Sequence, residues 1–439
     1  MGEDHKTTEE NKNGSRAILV GLQTRQSEES FAIAMQELGE LARACGIEPV
    51  SVSTQRAEHP VQATYIGSGK AEEIKLAAEM LSAGLVIFDQ TLSPMQFRNL
   101  GKLLGVEVMD RTGLILRIFA EQARTREARL QVEHARLQYI LPRLAGMWTH
   151  FGRQGGASGS QSNRGVGETQ IELDRRHIER RMAELDKELK AIARERATQR
   201  GKRLQSGLPR VALVGYTNAG KSTLMNRLLE QNERVDEAKK VREEDKLFAT
   251  LDTTVRKIEP KGRRAILLSD TVGFINELPH SLVKAFRSTL EEVRYADLLL
   301  QVVDFSDEHY RDCMRVTDET LKEIGAAAIP MLYVFNKADK AGDMVFRIPA
   351  VRQDSIYMSA LRGEGVKELL DLVEEKLREG TEICCFLFPY SEGKHLNLLQ
   401  ETEEILETEY RENGTWVKVR CKKETAQRYR NYSTGDTEA

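Results

Sequence analysis

Gly215-Tyr216-Thr217-Asn218-Ala219-Gly220-Lys221-Ser222 is the stretch whose reading decides the fold. It fits G-x-x-x-x-G-K-[ST], follows the apolar run Val211-Ala212-Leu213-Val214 and opens a helical pattern from Thr223 to Leu229. In that strand–loop–helix setting, consecutive backbone N–H groups turn inward around phosphate oxygens, and the helix N-terminus adds partial positive charge. Lys221 then reaches the β- and γ-phosphates, and the Ser222 hydroxyl coordinates Mg²⁺. Thr223 closes the phosphate-binding segment.

Three further pieces follow in order. Leu267-Leu268-Ser269 runs into Asp270-Thr271-Val272-Gly273, a D-x-x-G at a strand end, where the Asp holds Mg²⁺ through water and the Gly N–H senses the γ-phosphate. Leu332-Tyr333-Val334-Phe335 runs into Asn336-Lys337-Ala338-Asp339, the N-K-x-D pattern. A carboxylate at Asp339 accepts from guanine N1–H and its 2-amino group together. Adenine offers an acceptor at N1 and no amino group at C2, so the base is guanine. Ser359-Ala360-Leu361 supplies the short turn that backs guanine O6. Four motifs in this order, each after an apolar strand, identify a site for GTP and GDP.

Between the first two motifs a threonine must close over Mg²⁺ and the γ-phosphate. Thr250, Thr253 and Thr254 are candidates in Phe248-Ala249-Thr250-Leu251-Asp252-Thr253-Thr254, and position alone does not choose among them. The preceding segment, 232–246, is dominated by charge, as a solvated loop that orders on nucleotide binding would be.

The whole set resembles the HflX family of ribosome-associated GTPases. The carrying matches are G-Y-T-N-A-G-K-S-T, F-A-T-L-D at 248–252, D-T-V-G-F-I at 270–275 and the continuation Leu278-Pro279-His280-Ser281-Leu282. The resemblance extends upstream to the Gly-rich stretch Gly152–Gly167 and the helix after it. It implies Thr250 as the switch threonine, which makes Lys221, Thr250 and Gly273 the expected catalytic groups and Ser222, Thr250 and Asp270 (through water) the expected Mg²⁺ set. It also implies binding to the large ribosomal subunit, with a helical hairpin reaching toward its catalytic centre, and splitting or rescue of ribosomes. Gly67-Ser68-Gly69-Lys70 looks like a truncated phosphate loop, and an N-terminal ATP site is associated with this family.

The chain has 439 residues, 40% apolar and 30% charged, enough for several domains. No apolar run approaches the ~18 residues of a membrane span, and the polar N-terminus lacks the apolar core of a signal peptide. Cys45, Cys313, Cys384, Cys385 and Cys421 lack metal-site spacing and read as buried, reduced thiols. A cytoplasmic monomer is expected, with peripheral membrane association left open. Net charge is −3, but Gly101–Arg210 carries 22 Lys/Arg against 13 Asp/Glu, so a basic arm sits on an acidic body.

The expected fold is α/β throughout. Residues 1–15 form a tail, and 16–111 form an α/β domain with alternating strand and helix signals. Residues 112–200 form an antiparallel helical hairpin with a Gly-rich tip at 152–167. Its first helix is expected over Thr112–Leu144. Its second is expected to open with a capping box at Thr169–Glu172 and to carry a seam of Ile171, Ile178, Met182, Leu185, Leu189 and Ile192, interrupted at Arg175. A linker (201–209), a G domain with a mixed, mainly parallel sheet (210–379) and a small α+β domain (380–439) follow. That last domain reads as strand, helix (Asn397–Tyr410) and strand. At the tip, Arg153 and Arg164 beside Trp148, His150 and Phe151 suit contact with rRNA. Alternatives are a nucleotide-dependent protein-interaction switch and a ribosome assembly factor.

Phe274 follows Gly273 where many GTPases place the Gln that orients the attacking water. Asn218 occupies the P-loop position at which a subset of related GTPases ligates K⁺, a cation that places charge where an arginine finger would; the simpler role is capping the turn. If K⁺ binds there, hydrolysis runs faster in KCl than in NaCl at equal ionic strength. Equal rates would leave Asn218 as a turn cap.

Overall fold

The computed structural model of the chain describes residues 16–144, 163–205, 207–232, 254–271, 273–275, 292–341 and 347–435. The expected tip residues Arg153, Trp148, His150 and Phe151, the switch segment Phe248–Thr253 and Val272 lie outside them, as does the side chain of Arg164. The chain divides into two compact units, which part within one long helix after Ala191.

The first unit holds a four-stranded parallel sheet, ordered β2-β1-β3-β4, from β1 (Arg16–Gln23), β2 (Glu48–Arg56), β3 (Leu85–Phe88) and β4 (Glu107–Asp110). Both faces of β1 and β3 are buried, which is why Ala17–Val20 and Leu85–Phe88 are continuous apolar runs rather than alternating ones. Helices α1 (Glu28–Ala44), α2 (Ser68–Met80) and α3 (Pro94–Leu104) connect the strands. At the start of α3, Ser93 accepts from Gln96 N and Gln96 returns a bond to Ser93 N, with Pro94 at the first helical position, as the sequence predicts. Helix α4 (Arg111–Gln122) is tied to α1 by a buried ion pair, Arg111 Nη2 to Glu37 Oε2 at 2.6 Å.

The first hairpin arm departs from expectation. The helix expected over Thr112–Leu144 is broken at Ala123–Thr125 into α4 and α5 (Arg126–Ile140), because the Thr125 side chain accepts from Ala128 N and caps a new helix. The second arm, α6 (Asn163–Gln205), is already helical six residues before the expected capping box, so Thr169 lies inside the helix and not at its start. Asn163–Gly167 is therefore helical rather than part of a loop, and α6 also absorbs the first five residues of the expected linker. Arg126 pairs with Glu188 at 2.8 Å and Arg181 clasps Glu133 at 2.7 Å and 3.0 Å, which fixes α5 and α6 as antiparallel. The less exposed stripe of α6 runs through Ile171, Asp174, Ile178, Met182, Leu185, Leu189 and Ile192. Asp174, not Arg175, is the polar residue on the seam.

In the second unit a seven-stranded sheet, ordered β10-β11-β9-β8-β5-β7-β6, is built from β5 (Arg210–Val214), β6 (Thr254–Ile258), β7 (Ile266–Asp270), β8 (Leu298–Asp304), β9 (Met331–Asn336), β10 (Ala350–Arg352) and β11 (Ser355–Tyr357). Strands β6 and β10, at the two edges, are antiparallel to their neighbours, and the others are parallel. Helices α7 (Lys221–Leu229) and α9 (Val366–Arg378) pack one face through Leu224, Met225, Leu228, Leu369 and Val373, and α8 (Tyr310–Glu323) lies beside β8. β5, between the parallel strands β7 and β8, therefore ends in the P-loop where the strand order reverses, the position at which open α/β sheets bind ligands.

The end of the chain forms an antiparallel sheet β12-β14-β13, from β12 (Thr381–Phe388), β13 (Glu404–Arg411) and β14 (Gly414–Lys422), with α10 (Gly393–Thr402) and α11 (Lys423–Arg428). The helix expected over Asn397–Tyr410 ends at Thr402. Ile405, Thr408 and Tyr410 instead form a β-hairpin with β14 around Glu412-Asn413-Gly414, where Gly414 adopts φ +148° and a Cβ would lie 2.2 Å from Phe388 O. All five cysteines are free; Cys313 is half-exposed and the other four are buried.

Candidate functional site

The P-loop needs its two terminal glycines for different neighbours. Gly215 has φ +142°, and a Cβ there would stand 2.2 Å from Val302 O. Gly220 has φ +91°, and its Cβ would stand 2.2 Å from Asn336 Nδ2. Between them Asn218 sits at φ +59° with an exposed side chain, and Ala219 is buried. Lys221, 7% exposed, folds back so that Nζ donates to Gly215 O at 3.0 Å and Tyr216 O at 2.6 Å. Burial pushes its pKa down to about 8, against the opposing pull of the Asp270 carboxylate. Ser222 Oγ donates to Asp270 Oδ2 at 2.9 Å, and Asp270 is fully buried at the end of β7.

The strand end after Asp270 is bound to the P-loop. Thr271 Oγ1 donates to Leu213 O at 2.7 Å. Phe274 N donates to Gly215 O at 3.1 Å and Phe274 O accepts from Thr217 N at 2.8 Å. Gly273 is thereby held so close that a Cβ would meet Thr217 Cα at 2.8 Å and Lys221 Nζ at 3.0 Å. Phe274 is 2% exposed.

The base-reading end is joined through Asn336. Its Nδ2 donates to Ala219 O at 2.9 Å, and its Oδ1 accepts from Ala360 N at 2.9 Å. Lys337, at φ +58°, donates to Asp304 Oδ2 at 2.7 Å. Ala338 N donates to Met358 O at 3.2 Å, and Ser359 is fully buried with its Oγ accepting from Arg362 N at 3.3 Å. Asp339 pairs with Arg362 Nε at 3.2 Å. Four loops far apart in the sequence thus meet at the ends of β5, β7, β9 and β11.

Three residues of this site escape sequence reading. Arg227 donates to Ala360 O at 3.0 Å and Leu361 O at 2.6 Å, pinning the Ser359–Leu361 turn to the P-loop helix. Asp304 anchors Lys337, and Arg362 meets Asp339. Only Asp304 carries a signal, an Asp at a strand end. The truncated loop at Gly67 is occupied by its own neighbours. Gly67 N donates to Gln55 Oε1 at 2.9 Å, and Lys70 pairs with Glu73 at 2.8 Å on the same helix.

This geometry is that of a P-loop NTPase with a guanine-type base pocket, and similarity to known proteins agrees. Residues 32–120 match the family described as GTP-binding GTPase N-terminal, 122–203 its middle region, and 210–337 the family described as 50S ribosome-binding GTPase. The chain is 42% identical over 417 residues to the GTPase HflX of Caldanaerobacter subterraneus subsp. tengcongensis, covering 95% of this chain and 93% of that one. It is 39% identical over 405 residues to that of Escherichia coli, covering 92% of each. The chain belongs to the HflX GTPase family. It is a P-loop GTP hydrolase, in a group that generally uses Mg²⁺. Among solved structures, a GTP-binding protein from the archaeon Sulfolobus solfataricus in complex with GDP aligns at 27% identity over 82% of this chain and 98% of that one, with a TM-score of 0.41 too low to weigh. No helix among the described residues is long and apolar enough to cross a membrane.

For an HflX GTPase whose P-loop lysine is buried against backbone carbonyls, nucleotide binding is expected to be linked to protons. Burial lowers the Lys221 pKa to about 8, and phosphate oxygens beside it would favour the ammonium and raise it again. Binding would then take up protons as the pH passes that lowered value. GDP affinity is expected to fall about fourfold between about pH 7 and about pH 8.5. Calorimetry in buffers of different ionisation heat checks this through the proton uptake, and a flat affinity would show Lys221 fully charged before binding.

Proposed function

We propose that GTP binding and hydrolysis in the G domain (210–379) control attachment of the basic hairpin (112–200) to rRNA of the large ribosomal subunit, and so drive splitting, rescue or recycling of ribosomes. The observation that carries the reading is the convergence of the four motif loops around Asn336, on a chain whose basic excess lies in another segment. The relatives' family and the 50S-binding description of residues 210–337 support the ribosomal side. The α/β domain (16–111) and the tail domain (380–439) would carry and buttress these two working parts.

In this reading Gly215–Thr223 wraps the phosphates with backbone N–H groups, and Lys221 exchanges its two carbonyl acceptors for phosphate oxygens. The hydroxyl–carboxylate pair Ser222 and Asp270, both hard oxygen donors at 2.9 Å, fits Mg²⁺ directly and through water. Thr250 would complete that set, and the ion when bound supplies positive charge to the β- and γ-oxygens. Gly273 N–H reports the γ-phosphate, and Asp339 with the Ser359–Leu361 turn reads guanine. K⁺ at Asn218 would add charge near the bridging oxygen. Buried and apolar, Phe274 offers nothing to orient a water, so unaided turnover is slow and a partner stimulates it.

Asp339→Asn should shift preference from GTP to XTP, because xanthine presents an acceptor where guanine has its amino group; retained strong GTP preference would remove Asp339 as the base reader. For the ribosomal half, Arg153→Glu with Arg164→Glu should leave unstimulated hydrolysis within about threefold of the parent, a barrier change of ~0.65 kcal/mol. Ribosome-stimulated hydrolysis and subunit splitting should be lost, with a shallower salt dependence of binding. Phosphate release and sucrose gradients of ribosomes in GTP analogue and GDP read both. Normal splitting by the charge-reversed protein would reduce the tip to a linker.

A further inference from the structure

The carboxylate read as the base reader is covered by the protein's own side chains. Asp339's side chain is only 6% exposed, and its Oδ2 lies 3.2 Å from Arg362 Nε. Arg362, by contrast, is 57% exposed. Its backbone is fixed, since Arg362 N donates to Ser359 Oγ at 3.3 Å and the preceding carbonyl, Leu361 O, is held by Arg227. A long, largely solvated side chain thus extends from a hydrogen-bonded turn and pairs with the group that, in this reading, must meet guanine.

We infer that Arg362 is a guard on the guanine pocket, a cation that competes with the base for Asp339 and thereby sets nucleotide affinity and the rate of nucleotide entry. Guanine presents two donors, at N1 and its 2-amino group, to the two oxygens of one carboxylate, and it needs both oxygens uncovered. With only 6% of the Asp339 side chain open, a neighbour has to leave first, and the neighbour paired with it is the one whose own side chain is mostly in water. An ion pair with one exposed member is worth at most about fivefold in an equilibrium, so the guard is weak enough to be displaced by every incoming base. The same pair discriminates at entry. A base without paired donors cannot replace the guanidinium's ion pair with the carboxylate, which leaves Asp339 on Arg362.

The inference rests on the reading of Asp339 as the base reader. Stopped-flow association and equilibrium binding of fluorescent GDP should find that Arg362→Ala binds about three- to fivefold more tightly, through faster association, and that Arg362→Lys lies between. The ratio of variant to parent should shrink toward one between about 0.05 M and about 0.5 M salt, a change that a merely structural role would not produce. In the Asp339→Asn background, with XDP as ligand, Arg362→Ala should have no effect, since no ion pair remains to be broken. Unchanged GDP binding by Arg362→Ala would overturn the guard. Weaker binding would overturn it too and make Arg362 a residue that holds the carboxylate in place. If Asp339→Asn still prefers GDP to XDP, the base reading itself fails, independently of either result.

Discussion

One side-chain amide holds the nucleotide site together. Asn336 is 2% exposed, and its two ends do opposite jobs, donating to Ala219 O in the P-loop and accepting from Ala360 N in the Ser359–Leu361 turn. Each bond contributes only about 1 kcal/mol net, but a buried partner left unsatisfied costs about 1–3 kcal/mol, so the brace is enforced by what its loss would expose. No carboxylate can substitute, because one end must donate. The brace also explains Gly220: the Nδ2 atom sits where that residue's Cβ would be. Arg227 repeats the connection from the P-loop helix to the same turn. The P-loop and the Ser359–Leu361 turn are therefore bonded to each other through buried groups, and in the proposed reading this ties the phosphate end of the site to its base end.

On that body the Asp270–Ile275 segment is the part poised differently. It joins the P-loop by two backbone bonds made around Phe274 and leaves Gly273 against Lys221. Two such bonds are cheap to exchange for phosphate contacts, whereas the buried Asn336 amide is not. The division of labour follows from these magnitudes. In the proposed reading, the loops assigned to the base and the diphosphate are braced by buried side chains, and the segment assigned to the γ-phosphate is held by backbone bonds a ligand could replace.

The parts legible in the sequence are those written in contiguous residues. The P-loop, D-x-x-G, N-K-x-D and S-A-L motifs each carry their own strand or turn context, and the Ser93–Gln96 capping box forms as its spacing requires. The same signature at Thr169 falls inside α6, which is already helical from Asn163, and a local motif cannot report whether the helix began upstream. Thr125 was hidden for the converse reason: an Arg- and Glu-rich amphipathic run conceals a cap in mid-pattern. The tail hairpin was missed because its edge strand is charged at Glu404, Glu407 and Glu409, as exposed edges commonly are, and reads as a solvated helix face. Arg227 and Arg362 were invisible outright, since their partners lie 133 positions away in one case and depend on a turn's orientation in the other.

The hairpin's root and its shaft are stabilised by different physics. At the root, Asp110 is fully buried and accepts from Leu92 N at 3.0 Å, Gly113 N at 2.8 Å and Tyr139 Oη at 2.8 Å, with Arg143 at 3.4 Å. Arg143 also donates to Leu92 O at 2.6 Å and lies 3.9 Å over the Tyr139 ring. Burial and the Asp110 carboxylate push the Tyr139 phenol well above its ordinary pKa, which keeps it a donor. Breaking such a buried charged network costs about 3–5 kcal/mol. Along the shaft, the Arg126–Glu188 and Arg181–Glu133 pairs are open to solvent, where each pair is worth about 0–1 kcal/mol, and Leu185 is the seam residue that is fully buried. The Asp110 network, through Tyr139 near the end of α5 and Arg143 just beyond it, therefore fixes the arm to the α/β domain more strongly than the solvent-exposed ion pairs fix α5 to α6.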